Sequence, residues 1–312
     1  MVRHHSIVTS LESLNQLGGE LHDHLTKNLG DGRITGIRLV DVGQGDCFAI
    51  IATRDEREFP LIYFDYGGLM DHPDRKKHER TKLRMPTNHA FGQSVIILSH
   101  WDKDHYWSAK WKNTDAKKSL WLVPNQWVSP QAAKFSAELE NAFRWPEALE
   151  EKVIGVNLGD HTVLIRKCGK HKKEVPYEDR NLTGLAVTIH NSQVTESPQV
   201  VLPGDCPLNR IPNLPSARIS LLAAPHHGSK KGLKHFTIFC QAYMDSDSLM
   251  LISYGKNHFG HPDPSIKAVF PGDKIESNQS RESDGKPFYT EIELSKYLPL
   301  QCEMRPPLNV ER

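Results

Sequence analysis

Apolar residues recur at Ile7, Leu11, Leu14, Leu17, Leu21, Leu25 and Leu29, at spacings of three and four. That spacing lines one stripe of a helix over residues 7–29. Gly18-Gly19 in its middle costs roughly 1 kcal/mol per glycine. The stripe predicts a helix packed on the domain; a docking helix for a partner or a second copy is the alternative. From residue 34 the pattern shortens to β-rich runs: Ile34–Val42, Cys47–Ala52, Leu61–Phe64, Val95–Leu98, Leu120–Val123, Val153–Val156, Val163–Ile165, Leu185–Ile189, Val200–Leu202, Ile219–Ala223 and Leu249–Ser253. Helical stretches interleave at His105–Lys112, Gln131–Phe143, Leu233–Met244 and Pro264–Phe270, and residues 271–288 read as a polar loop. This order predicts an α/β chain: an N-terminal helical extension over 1–33, one domain of two sheets with helices outside over 34–300, and a tail over 301–312.

Composition narrows the class. The 312 residues carry 39 Lys+Arg against 38 Asp+Glu, and 38% are hydrophobic, enough for one sizeable core and far from the disordered regime. No uncharged apolar run approaches the ~20 residues of a spanning helix. The N-terminus Met1-Val2-Arg3-His4-His5-Ser6 lacks the apolar segment of a signal peptide. The five cysteines, Cys47, Cys168, Cys206, Cys240 and Cys302, are scattered, and none forms a CxxC pair. An odd, scattered set is not a disulfide framework and predicts a reducing, cytoplasmic setting without membrane contact.

The 17 histidines matter more, because some cluster beside aspartates. Ser99-His100-Trp101-Asp102-Lys103-Asp104-His105 follows an apolar run, so it stands at the exit of a buried strand. An extended backbone would put His100, Asp102 and Asp104 on one side, and a turn would bring His105 round. Several N and O donors converging from a rigid strand end are what a divalent metal needs. A charged, solvated loop is the bland alternative.

Five more segments end strands in order: Asp41-Val42-Gly43-Gln44-Gly45-Asp46, Phe64-Asp65-Tyr66-Gly67-Gly68, Leu202-Pro203-Gly204-Asp205, Pro225-His226-His227-Gly228-Ser229 and Asn257-His258-Phe259-Gly260-His261-Pro262. With the HxDxDH cluster, this series resembles the metallo-β-lactamase-fold hydrolases, and within them the soluble hydrolase domain of the ComEC/Rec2 competence proteins. The resemblance spans about residues 34–270. It implies an αββα sandwich with two divalent ions, Mn or Zn, at one sheet edge. By position, His100 and Asp102 would bind one ion, Asp104 and His105 the other, and Asp205 would bridge; one or both of His226 and His227 would complete the set. Asp65 would orient ligands from behind, and His261 would donate a proton or act as a late ligand. Asp104, Asp205 and His261 are thus the implied catalytic residues.

Some positions depart from the broad family. Asp102 stands where a His is usual, which hardens the site toward oxygen-preferring ions such as Mn²⁺. Candidates for a further His ligand are His161, His171 and His190, and Cys206 beside Asp205 reads better as a small hydrophobe than as a soft ligand. All six tryptophans, Trp101, Trp107, Trp111, Trp121, Trp127 and Trp145, are expected mainly in the core. Trp107 and Trp111 would share a helix face able to stack bases if it is exposed.

Basic runs at Arg75-Lys76-Lys77 with Arg80, Lys82 and Arg84, at Lys167, Lys170, Lys172 and Lys173, and at Lys230, Lys231 and Lys234 are solvated faces or a phosphate track; acidic residues from Glu138 to Glu151 offset them. The expected activity is hydrolysis by metal-activated water, with nucleic acid, DNA foremost, as substrate. An acyl or lactone hydrolase and a partner-binding module that kept the fold are the rivals. The resemblance also extends to hydrolases of bacterial antiviral defence systems.

Overall fold

A computed structural model of the chain describes residues 6–7, 11–68, 93–111, 114–126, 128–145, 152–169, 180–194, 196–214, 217–255, 260–277 and 289–298. The expectations for Arg75–Arg84, Lys170–Lys173, His171, Asn257–Phe259, Cys302, the 301–312 tail and the side chains of Trp111 and Trp127 lie outside the described residues.

The strands are β1 (Ser6–Ile7), β2 (Arg33–Val40), β3 (Phe48–Arg54), β4 (Arg57–Phe64), β5 (Val95–Ile97), β6 (Leu120–Pro124), β7 (Asn141–Trp145), β8 (Val153–Leu158), β9 (His161–Lys167), β10 (Leu185–Asn191), β11 (Gln199–Leu202), β12 (Ile219–Ala223), β13 (Leu249–Ile252), β14 (Asp273–Glu276) and β15 (Tyr289–Glu293). The helices are α1 (Leu11–Leu29), α2 (Trp107–Trp111), α3 (Pro130–Ala137), α4 (Leu233–Tyr243) and α5 (Pro264–Val269). One sheet runs β1-β7-β6-β5-β4-β3-β2-β15 and the other β14-β13-β12-β11-β10-β9-β8.

Period-two alternation decides the layers. Val95 and Ile97 of β5, with Ile62 and Phe64 of β4, face the second sheet, where they meet Val187, Val200, Leu221 and Leu251 in one core. Their neighbours Tyr63, Ile96 and Leu98 turn outward to meet Ala109 of α2 and Ala132 and Phe135 of α3. On the far side Leu222, Met250 and Ile252 meet Phe236 and Cys240 of α4 and Ile266 of α5. The result is the αββα sandwich expected, with α1 present at the N-terminus. Leu14, Leu17, Leu21, Leu25 and Leu29 of α1 all enter the core between the sheets. These five leucines of the stripe are therefore spent on packing within the domain, the first of the two readings.

Three expectations fail locally. Ile7 belongs to β1, which pairs in parallel with β7, and not to the first helix. The helix read over Gln131–Phe143 stops at Ala137, and Asn141–Trp145 is a strand beside β6. There Ala142 and Trp145 supply alternating apolar positions to two cores, a tertiary demand that overrides helix propensity. Within the loop read over 271–288, Asp273–Glu276 forms β14 at a sheet edge, where one paired side suffices to hold a polar strand. Among the described residues no helix is long and apolar enough to cross a membrane.

Candidate metal centre

β4, β5, β6 and β7 run parallel in one sheet, and β11, β12, β13 and β14 in the other. The loops after β4 and β5, after β11, β12 and β13, and between β2 and β3 converge at a common edge. After β5 the backbone stays extended only to Asp102. Residues Lys103–His105 then close a 3-10 turn, with His105 N donating to Asp102 O at 3.1 Å. His100 and Asp102 therefore remain together, whereas Asp104 leaves the extended run and turns with His105 to the other side.

Asp205, after β11, divides these groups. Its Oδ2 lies 3.6 Å from His100 Nε2 and 3.6 Å from His226 Nδ1. Its Oδ1 lies 3.3 Å from His105 Nε2 and 3.7 Å from His227 Nε2. Asp102 Oδ2 joins the first set at 3.4 Å from His100 Nε2, and Asp104 Oδ2 joins the second at 3.4 Å from His227 Nε2. His226 and His227 reach different sets because both are left-handed, with φ of 49° and 54°, and their rings stand 87° apart. Such strain at two successive residues persists where the surroundings over-determine it, typically at a functional site.

The donors are aimed by groups behind them. Asp65 accepts from His105 Nδ1 at 2.8 Å and from Ser99 N at 2.6 Å. His227 Nδ1 donates to Ser253 O at 2.9 Å, with Asp46 Oδ1 beside it at 3.2 Å. Both rings thereby spend the Nδ1 proton outward and leave Nε2 facing inward. Asn181 Nδ2 donates to Asp205 Oδ2 at 3.2 Å and stands 3.0 Å from His226 Nδ1.

Close backbone approach makes this possible. A Cβ on Gly67 would fall 1.9 Å from Asp104 O, and one on Gly204 would fall 2.6 Å from Ser99 Cβ.

The electrostatics call for a cation. His100 Nε2, His105 Nε2, His227 Nε2 and Asp205 Oδ1 are buried without a hydrogen-bond partner among the described residues. Each such orphan costs about 1–3 kcal/mol. Their separations suit donors sharing an ion at bonds near 2.1 Å, which sit roughly 3–3.5 Å apart. Burial would raise the Asp104 and Asp205 carboxyls, yet His105 and, beside it, the other histidines hold both below the usual range. Burial would lower His105 and His227, yet the aspartates around them push both well up. Asp65, at the back, is raised by burial against the pull of His105. The residues fit a divalent metal.

Asp46, His105, Asp205 and His227 also offer atoms that all lie within 4.8 Å of one another. Asp46 was not among the residues expected at the site, although its segment was singled out; it faces the Nδ1 side of His227. Asn181 carries no sequence signal at all. His261 sits outside both sets, its ring 5.3 Å from that of His226, with burial lowering its pKa. His161 and His190 lie on β9 and β10 near the end of β10 remote from Leu185, whose N–H bonds Ser99 O. They are thus at the opposite sheet edge and hold no place here. Cys206 is buried in the outer apolar cluster, its thiol pushed up by burial. Trp101, Trp121 and Trp145 are core residues, while Trp107 is half-buried with Lys103 Nζ and Lys110 Nζ at 5.9 and 5.5 Å from its ring. Lys230, Lys231 and Lys234 are exposed.

No family model and no curated protein matches the chain. Solved structures do. The metallo-β-lactamase fold protein YhfI from Bacillus subtilis is 13% identical, over 77% of this chain and 96% of that one, with a TM-score of 0.39. The short form of human tRNase Z is 9% identical over 77% and 93%, at 0.37. Unliganded yeast PDE1 is 10% identical over 78% and 98%, at 0.41.

Proposed function

We propose that the chain is a dinuclear metal-dependent phosphodiesterase acting on nucleic acid, DNA foremost. The observation that carries the reading is the Asp205 carboxylate, whose two oxygens face two separate sets of inward-turned donors. In this reading His100, Asp102 and His226 would hold one ion, Asp104, His105 and His227 the other, and Asp205 would serve both. Held there, two divalent ions would supply Lewis acidity toward a water and a phosphoryl oxygen. Asp102 adds a hard oxygen donor, which favours Mn²⁺ over Zn²⁺. Asp65 and Ser253 fix the rings of His105 and His227, so the donors do not reorganise as substrate arrives. His261, next to His226 and outside both sets, is the group placed to move a proton to the leaving oxygen. A competence-type or defence-type role would be one setting for this activity.

The test is metal content of the purified protein together with hydrolysis of labelled single-stranded and duplex DNA. Cleavage that needs Mn²⁺ and weakens with salt is expected, with a log–log slope of about −0.7 per neutralised phosphate on single strands and −0.9 on duplex. Replacing Lys230, Lys231 and Lys234 by Ala should flatten that slope and raise KM with the ions retained. Faster hydrolysis of a lactone or β-lactam, indifferent to salt and to the lysines, would replace this reading with an acyl hydrolase.

A further inference from the structure

The cation that touches the donor cluster is none of the lysines expected from sequence. Arg180 opens the 3-10 turn Arg180–Leu182, and its guanidinium meets Asp102 Oδ1 at 2.6 Å. Asp102 Oδ2, the other oxygen, faces His100. One guanidinium nitrogen also points at Trp101 O at 3.4 Å. The side chain is 33% exposed, at the rim of the donor cluster.

The backbone that carries it is pinned. Gln126 Nε2 donates to Arg180 O at 2.7 Å and to Thr183 Oγ1 at 2.9 Å, while Gln126 Oε1 accepts from Trp101 N at 3.3 Å. One amide thus ties the Arg180 turn to the strand-end loop that carries His100 and Asp102. Lys167 Nζ donates to Thr183 O from the other side. A cation fixed in this way meets an anion without first ordering itself.

Charge makes the same point. Five carboxyl groups, those of Asp46, Asp65, Asp102, Asp104 and Asp205, contact the histidine rings. Two divalent ions would leave one negative charge over, and Arg180 is the one lysine or arginine paired with any of these carboxyls among the described residues.

We infer that Arg180 is the substrate-phosphate clamp of this site, its part-exposed guanidinium binding a non-bridging oxygen while Asp102 holds one of its nitrogens. This rests on the phosphodiesterase reading above. A planar fork is suited to serve a carboxylate and a phosphate at once, which a lysine is not. Gln126 is its positioning residue.

The experiment compares wild type, Arg180→Ala, Arg180→Lys and Gln126→Ala for ion content, for kcat and KM on bis(p-nitrophenyl) phosphate, and for inorganic phosphate binding by calorimetry. Arg180→Ala is expected to keep its ions, raise KM at least tenfold and weaken phosphate binding in parallel, with a smaller change in kcat. Arg180→Lys should recover part of the loss, free guanidinium should rescue Arg180→Ala, and Gln126→Ala should show a milder KM effect. If Arg180→Ala sheds its ions, or leaves KM and phosphate binding unchanged, the clamp is overturned and the metal reading stands. A wild type that binds no divalent ion, or cleaves only acyl esters, overturns the phosphodiesterase reading and the clamp with it.

Discussion

At one edge of the sandwich Leu14, Leu17, Leu21, Leu25 and Leu29 of α1 are each no more than 3% exposed; at the other, His100, His105, Asp205 and His227 are no more than 6% exposed. The α1 edge is anchored where Asn28 Nδ2 donates to Gln93 O just before β5 and Arg54, ending β3, donates to Asn28 O. There, every buried leucine gains by leaving water, roughly 1.5–3 kcal/mol for a full side chain. At the loop edge the same degree of burial leaves ring nitrogens and a carboxylate oxygen without partners. One edge spends its burial on stability. The other stores an electrostatic demand that a cation meets, and the fold holds it there through glycine contacts and strained histidines.

The sharpest way to break this contrast is Asp205→Ala. It should remove bound ions and lower hydrolysis by well over the roughly 10–100-fold typical of losing an outer partner. The metal-free protein should stay folded, because the carboxylate sits in a strand-end loop, but melt lower than wild type, because the attraction to His105 and the other histidines that holds this carboxyl low is lost. Asp104→Ala should behave alike. Full occupancy with near-normal turnover in either variant would refute the bridging geometry. Leu21→Ala probes the opposite edge: a cost of about 2–5 kcal/mol in denaturant unfolding, with ion content per folded chain unchanged. Asp65→Asn lies between, since it keeps the shape and removes the charge behind His105. Ion affinity measured by competition with a chelator should fall about 10–100-fold while the melting temperature without metal holds or rises, because Asp65 is a buried carboxyl raised by desolvation.

The two edges also differed in how far the sequence exposed them. The α1 stripe was legible because a helix repeats its buried face every three or four residues, although Ile7 joined the stripe by chance of spacing and in fact pairs in a strand. His100, Asp102, Asp104, His105, Asp205, His226 and His227 were legible because each stands where an apolar run ends, and the structure brings all of them together. Asp104 was misplaced on the extended run because nothing in Lys103-Asp104-His105 announces a 3-10 turn. Asp46, Arg180, Asn181 and Gln126 were passed over for a different reason. Their work is done across sheets, at sequence separations of 24 residues in the Asn181–Asp205 bond, 54 in the Gln126–Arg180 bond, 79 in the Arg180–Trp101 contact and more between Asp46 and His227, and no local pattern encodes it. The division of labour between His226 and His227 was equally hidden, since it depends on two successive left-handed residues.

The smallest expected effect comes from a charge pair whose demand the protein meets by itself. Arg218 grips Asp245 with Nε on Oδ2 at 2.6 Å and NH2 on Oδ1 at 2.6 Å, linking the start of β12 to the turn after α4. Burial alone would raise the Asp245 carboxyl, but the Arg218 hydrogen bond and charge, with the Asp247 N–H and Ser248 behind them, hold it below its ordinary value. A carboxyl lowered in the folded chain contributes stability above its unfolded pKa of about 3.9 and loses it as pH falls through the folded value. Asp245→Asn should therefore cost about 1 kcal/mol at pH 7, a modest figure because both side chains are about a quarter exposed. The difference from wild type should shrink below pH 4, as wild-type Asp245 takes up its proton. Adding a chelator or Mn²⁺ should leave that difference unmoved, whereas it should shift the stability gap between wild type and Asp205→Ala. If the Asp245→Asn gap instead follows metal loading, the loop edge and the α4 layer are coupled, and the separation between self-satisfied and cation-demanding charge drawn above is lost.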